Sequence, residues 1–435
     1  MKEARILGSL GPLIQPGSRH SSNTETKVHV HLPSDIAVGS VIYGGYVASV
    51  MTEYALYYAS QHPKLQTQID LRNSYVQFYR PTFDSAPLIM TLREVNIGKG
   101  QSTLRVESFQ NEKITASADI SITNLSIAGI TFQTDWRLFT PPSPVDLTKL
   151  EIDSDPNWIS YHCAFYPEGF RRGQSYVKNF IPRVLPTDFP FIEQWVEPGW
   201  DYLPLGSRPS GSGSKARWTN DMIQFVGDMA FPIQDNYVPH GEGKPLPMGS
   251  IAALLEFAKR QEKARNEGRS DWRVLNDDGA RNFWGKTLNV SLTLSTEIKQ
   301  RLPAEDVRWL YLRTECKRIL NGQMDMEVLI FDERMDLIAI SQQIAALENV
   351  VAYNSFLANR RHIMDLSTPP PPAGATHAQR RAYDCDPLLR LLPGDEGYVV
   401  WASALKSYLD TIVEMARVQY HFLYRLMIRK FNHIK

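Results

Sequence analysis

A strand, a helix and then strands of alternating polarity follow one another twice along this 435-residue chain. In the first passage, from His29 to about Thr123, a β-branched run turns through Gly44 and Gly45 into helical periodicity, VIYGGYVASVMTEY, reaching about Ser60. A Pro-containing turn then leads into strands. In ITASADISIT, Ala116, Ala118, Ile120 and Ile122 share one face and Thr115, Ser117, Asp119 and Ser121 the other, the period of two expected of a half-buried strand. The stretch STLRVESFQNEKITASADI predicts a hairpin about Asn111 and Glu112. One helix followed by such a run makes an α+β unit, a sheet wrapped on a single helix.

The second passage runs from about Arg217 to Leu347. WTNDMIQFVGDMAFPI predicts a strand and a helix start near Gly227 and Asp228, and KTLNVSLTLSTEI, VRWLYLRTECKRI, GQMDMEVLIFDE and DLIAISQQIAAL predict strands. Laying IYGGYV over FVGDMA, LRNSYVQFYRP over TLNVSLTLSTE and ITASADI over LIAISQQ sets Gly45 against Asp228, Leu71 against Thr287 and Ile120 against Gln343. Three small or apolar positions have become polar. Each polar residue also has a plain structural reading. Asp228 is a good helix cap. Thr287 shares a face with Asn289, Ser291 and Thr293, opposite Leu288, Val290, Leu292 and Leu294, as an ordinary strand threonine would. Gln343, on a face with Ala339, Ser341 and Ala345, could satisfy buried backbone groups. Their coincidence at matched repeat positions favours function. Glycines at a helix start leave the backbone open to a close approach. Gly44, Gly45 and Gly227 are therefore expected to contact substrate, with close helix–sheet packing as the alternative.

Charge and composition narrow the classes. Lys plus Arg and Asp plus Glu are 47 each, and no basic stripe interleaves with aromatics, so nucleic acid is not an expected partner. Cys163, Cys316 and Cys385 lack the spacing of a zinc site or disulfide framework and read as reduced thiols. His29 and His31 alternate on a strand without further ligands, so no metal is expected; His162 beside Cys163 matches no nucleophile motif, and GxSxG is absent. The apolar run near the N-terminus is broken by Gly and Pro and is shorter than a signal or membrane segment. A cytoplasmic location and no membrane partner are expected, with the peroxisome or another organelle left open.

VIYGGYVASVMTEY, YVQFYRP, TLREVNIGKGQSTLRVESFQN and the Asp, Thr and Gln positions of the second passage resemble the double-hotdog acyl-CoA thioesterases of the TesB-like, type II class. The resemblance covers roughly residues 29–130 and 215–350. It implies two hotdog units, each a long helix wrapped by an antiparallel sheet, paired through their sheets. It also implies that Asp228, Thr287 and Gln343 hold and activate a water that attacks a thioester carbonyl, with no metal or redox cofactor. The expected activity is hydrolysis of acyl-CoA or a carrier-bound acyl substrate. A non-catalytic acyl-binding or scaffold protein on the same fold is the rival reading, since fold does not fix function.

The expected layout is a flexible arm over 1–28, a first hotdog over 29–130, a linker over 131–215 and a second hotdog over 216–350. Inside the second, about 249–268 reads as an inserted amphipathic helix capped by Ser250, with Ile251, Leu254, Leu255 and Ala258 as its apolar stripe. It could be a lid or a packed embellishment. FIEQWVEPGWDYLPL is expected to enter the second unit as a strand. Residues 351–435 read as a Pro-rich spacer and a long C-terminal helix with apolar residues near heptad spacing. A homo-oligomer could form through that helix or through the double hotdog.

Overall fold

The computed structural model describes residues 25–349, apart from residues 165, 167–168, 187–190, 200–215, 239–245, 248 and 276–286. The spacer and C-terminal helix expected over 351–435 lie outside the described residues, as does all but the end of the expected N-terminal arm.

In the first half, β1 (Glu25–Val30) and the short pair β2 (Ala37–Val38) and β3 (Val41–Ile42) lead into α1 (Gly44–Gln61). Then come β4 (Asp70–Phe78), β5 (Leu88–Asn96), β6 (Gln101–Gln110) and β7 (Lys113–Thr123). The side chains of Ala116, Ala118, Ile120 and Ile122 are buried, together with Tyr46, Val50 and Met51 of α1. Burial, of one face of β7 and of α1 on all sides over residues 45–52, rather than propensity, therefore holds helix to sheet. Asn111 and Glu112 join β6 to β7 with φ of 50° and 62°, the left-handed pair that a two-residue hairpin turn needs to match strand twist.

The second half contains α2 (Leu147–Glu151), β8 (Trp158–His162), β9 (Val177–Pro182), β10 (Ile192–Pro198), α3 (Ile223–Asp228), α4 (Ile251–Asn266), β11 (Thr287–Ile298), β12 (Leu310–Glu315), β13 (Ile319–Leu320), β14 (Gln323–Phe331) and β15 (Leu337–Asn349). All strands but β2 and β3 form one antiparallel sheet in the order β1-β5-β6-β7-β4-β11-β15-β14-β12-β10-β9-β8, with β13 on β14. The β4–β11 ladder joins the halves.

Residues 131–215, expected as a linker, supply β8, β9 and β10 of this sheet. Their aromatic content has a packing reason. Trp158, Phe180, Trp195, Tyr311 and Phe331 form a second core on the outer face of the sheet, covered by Leu138, Val145, Leu147 and Leu150. Strands buried on both faces show no alternation to read. The inserted helix appears as α4, capped by the Ser250 hydroxyl, which accepts from Ala253 N at 3.3 Å. It docks on the edge strand β8: Gln261 Oε1 accepts from His162 N at 3.1 Å and its Nε2 donates to His162 O at 2.9 Å. Those bonds occupy main-chain groups that an open edge would expose.

The helix expected to begin near Gly227 and Asp228 instead ends there. A 3-10 turn, Asn220–Met222, leads into α3, and Met229 N donates back to Phe225 O and Val226 O. Pro232 stands just beyond, lacking an N–H and set to clash with the carbonyl four residues back, that of Asp228.

The ladders also fix the register of the repeat. β4 carries a bulge between Leu71 and Asn73, and β11 one between Ser291 and Thr293. Ser74 pairs with Ile120, and Leu294 with Gln343. Leu71 thus corresponds to Ser291, four positions beyond the Thr287 set against it by sequence, whereas Ile120 and Gln343 correspond as aligned. The bulge breaks the strict alternation expected of β11. Ser291 pairs with Ala345 and Leu294 with Gln343, both partners buried, while Leu292 turns outward.

Candidate functional site

Helix α1 starts without an acidic residue in its first turn and without a side-chain cap from its N-cap residue Tyr43. The missing acceptor comes from the other half. Asp228, the last residue of α3, accepts from Gly45 N through Oδ2 at 2.7 Å. Its Oδ1 accepts from Gln343 Nε2 at 2.9 Å, and the Ser291 hydroxyl donates to Gln343 Oε1 at 3.3 Å. A Gln amide offers an acceptor on one side and donors on the other. Ser291 on the oxygen therefore turns the nitrogen toward Asp228. The bulge in β11 places Ser291 on the inner face, a common use of bulges beside functional groups.

Two effects compete on the Asp228 carboxyl. Burial raises its pKa above the ordinary carboxylate value, while the Gly45 N–H and the Gln343 amide act to lower it. Burial wins. A carboxylate under the influence of its donors alone would have its proton affinity lowered. A desolvated one gains proton affinity, as a general base at neutral pH requires.

Of the residues singled out in the sequence, Asp228 and Gln343 meet directly. Thr287 does not join them: it opens β11 opposite Asn349, four residues before Ser291. At roughly 3.3 Å per residue that is about 13 Å along the strand. Ser291, in the same strand, holds the position that the repeat alignment gave to Thr287.

The glycines divide as well. A Cβ on Gly45 would lie 2.5 Å from Asp228 Cβ and 2.5 Å from Gln224 O, so the two helices cross here at a distance only glycine permits. A Cβ on Gly44 would meet the Phe78 ring at 3.1 Å, and one on Gly227 would meet Ser341 Oγ at 3.1 Å. The surroundings of all three are protein: Gly45 lies against α3, Gly44 against β4 and Gly227 against β15. The Gly45 N–H, expected to contact substrate with close packing as the alternative, faces Asp228.

Among the described residues, no group of three or more His, Cys, Asp or Glu could hold a metal ion. Among them, too, no helix is long and apolar enough to cross a membrane.

Comparison with known proteins agrees with the two halves. Residues 32–124 match the acyl-CoA thioesterase N-terminal domain and residues 192–347 the acyl-CoA thioesterase C-terminal domain, together more than half of the chain. The thioesterase-like protein TwmA of Talaromyces wortmannii is 24% identical over 339 residues, which cover 74% of this chain and 88% of that one. Among solved structures, a candidate thioesterase II from Thermobifida fusca YX is 16% identical, covering 74% of this chain and 93% of its own with a TM-score of 0.48. The acyl-CoA thioesterase II TesB2 from Mycobacterium marinum is 15% identical, with coverages of 74% and 93% and a TM-score of 0.40. With both domains matched in order and joined in one antiparallel sheet, the chain belongs to the acyl-CoA thioesterase family, as a hydrolase built of two hotdog units.

Proposed function

We propose that this protein hydrolyses an acyl-CoA or a carrier-bound acyl thioester, with Asp228 as general base on a water that Gln343 and Ser291 help to orient. The observation that carries this reading is the Asp228 carboxyl itself. Both of its oxygens are held by donors from different elements, yet its proton affinity is raised by burial. A carboxylate offers about four acceptor positions and two are in use, which leaves lone pairs for a water. The second N–H of Gln343 and the Ser291 oxygen are further contacts for the same water.

In the reaction so assigned, Asp228 takes one proton from water as the oxygen adds to the thioester carbonyl carbon. The carbonyl π pair moves onto oxygen. Collapse of the tetrahedral intermediate breaks the carbon–sulfur bond, and the leaving thiolate takes the proton from the Asp228 carboxylic acid. Free acid and thiol are released, with no covalent acyl-enzyme.

The test is thiol release from a panel of acyl-CoAs of increasing chain length. Ser291→Ala is expected to lower kcat by about tenfold, since it frees the Gln343 amide to flip at the loss of one hydrogen bond of roughly 1 kcal/mol. Gln343→Leu, which also removes a contact to the water, should lower it more. Thr287→Ala should stay within twofold of the wild type. A large loss in Thr287→Ala with none in Ser291→Ala would restore the register read from sequence and remove Ser291 from the site. If the wild type releases thiol from no member of the panel, the acyl-binding or scaffold reading gains.

A further inference from the structure

Asp228 is the last residue of α3, and α3 has only six residues, too few to persist as a helix on their own hydrogen bonds. The 2.7 Å contact from its carboxylate to Gly45 N is therefore set by whatever seats α3 on α1 and on the sheet. The two helices come closest through glycine: a Cβ on Gly45 would stand 2.5 Å from Asp228 Cβ and 2.5 Å from the carbonyl oxygen of Gln224. Gln224 lies one turn before Asp228, on the same face of the helix.

The Gln224 side chain is 2% exposed, and its two ends bind different elements. Its Oε1 accepts from Ser74 Oγ of β4 at 2.6 Å. Its Nε2 donates to Thr52 Oγ1 at 2.8 Å and to Ala48 O at 3.3 Å, both in α1. Ala48 O can only accept, which fixes the end of the amide that faces α1. Ser74 and Thr52 are themselves buried. An apolar side chain here would bind α3 to its neighbours by area alone, without direction. A buried amide gains little net stability, because its bonds mainly offset the cost of taking it out of water. What it adds is geometry: three bonds to two elements keep α3 from sliding along α1 or rolling on the sheet.

We infer that Gln224 is a positioning residue for the hydrolysis: by tying α3 to Ala48 and Thr52 of α1 and to Ser74 of β4, it holds Asp228 in register with Gly45 N and Gln343. It acts through Asp228 and touches no reacting atom. The inference rests on the reading of Asp228 as the base. Two buried amides then share the work, Gln343 holding the carboxylate from the sheet and Gln224 holding the helix that carries it.

The experiment compares the wild type, Gln224→Met, Thr52→Val, Ser74→Ala and Asp228→Asn in the full chain. It measures kcat, KM and the pH profile of kcat/KM on the best substrate of the acyl-CoA panel, with melting temperature as the check on folding. Gln224→Met keeps the length of the side chain and removes its three bonds. Misplacing a catalytic group by about 1 Å costs up to about 100-fold, so kcat should fall about tenfold or more with KM within threefold. The Gly45 N–H acts to lower the pKa of Asp228, so loosening that contact should also move the inflection of kcat/KM upward, by about half a pH unit. Thr52→Val and Ser74→Ala each remove one partner and should move rate and inflection in the same directions by less. A residue that only stabilises the fold would lower the melting temperature and leave the inflection in place. A kcat within twofold of the wild type or an unmoved inflection in Gln224→Met, while Asp228→Asn is inactive, overturns the inference and leaves the base in place. If Gln224→Met does not fold, an unmoved inflection in both Thr52→Val and Ser74→Ala overturns it. Wild-type rates in Asp228→Asn would overturn both.

Discussion

Asp228→Asn should abolish nearly all thioester hydrolysis while leaving a protein that is more stable near neutral pH. The first effect follows from the loss of a general base, worth roughly 10²- to 10⁴-fold. The second follows from linkage. The folded-state pKa of Asp228 is raised by burial above its unfolded value, so its contribution to stability is fully present below the unfolded pKa. That contribution falls as pH rises through the folded pKa. At neutral pH the ionised, partly desolvated carboxylate is a burden that an amide does not carry. The amide can keep both contacts: its oxygen accepts from Gly45 N, and its nitrogen donates to Gln343 once that side chain turns its oxygen inward, with Ser291 accepting from Gln343. Rate by thiol release and melting temperature across pH 5 to 8 measure the two together. A variant that loses both activity and stability would point to Asp228 as a structural cap of α1.

Gly45→Ala should be a strongly damaging single-methyl change. Replacing Gly by Ala inside a helix ordinarily gains about 0.5–1 kcal/mol. Here the new Cβ would stand 2.5 Å from Asp228 Cβ, 2.5 Å from Gln224 O and 3.1 Å from Phe225 Cα. Two of those atoms are main chain, so α1 and α3 must part, and overpacking of this kind typically costs about 1–3 kcal/mol. Parting the helices also lengthens the Gly45 N to Asp228 contact, so the rate should fall with the stability. Gly44→Ala is the control. Its Cβ would touch only the Phe78 ring at 3.1 Å, and a ring can shift by a few tenths of an ångström. Urea titration of both variants, with rates alongside, should show Gly45→Ala destabilised by roughly 2 kcal/mol and Gly44→Ala within about 0.5 kcal/mol of the wild type.

Much of this architecture could be read from residue patterns because the elements concerned have one wet face and one dry one. The β6–β7 hairpin and α4 with its Ser250 cap carry such a pattern, whereas α1, buried on all sides over residues 45–52, is marked by the glycine pair at its start. The pairing of Ile120 with Gln343 was legible for the same reason as the hairpin, whereas that of Gly45 with Asp228 does not hold as a repeat position, since Gly45 lies at the start of α1 and Asp228 closes α3. The Leu71 partner was not legible. TLNVSLTLST alternates so regularly that sliding it by four leaves every side chain on its original face, and only an odd slip would expose the core. The bulge that settles the matter has no signature in that stretch. β8 and β9 escaped because they are buried on both faces, and an aromatic-rich run without alternation resembles an ordered loop as much as a strand, whereas β10 lies in FIEQWVEPGWDYLPL, the stretch expected to enter the second unit as a strand. The direction of α3 was misread because a Gly-Asp pair suits either a helix start or a close crossing, and Pro232, which ends the matter, lies four residues beyond Asp228.

The most direct test of the Asp228–Gln343–Ser291 site is the pH dependence of kcat/KM for acyl-CoA hydrolysis, taken for the wild type and Asp228→Asn under identical buffers. Only ionised Asp228 can accept the proton of the attacking water. The wild-type rate should therefore climb with pH through an inflection above the ordinary carboxylate range of about 4 and then level, the displacement reflecting the burial of Asp228. The residual rate of Asp228→Asn should show no such inflection. An inflection that survives in Asp228→Asn, or a wild-type rate that is flat across the same range, would contradict the assignment of Asp228 as the base.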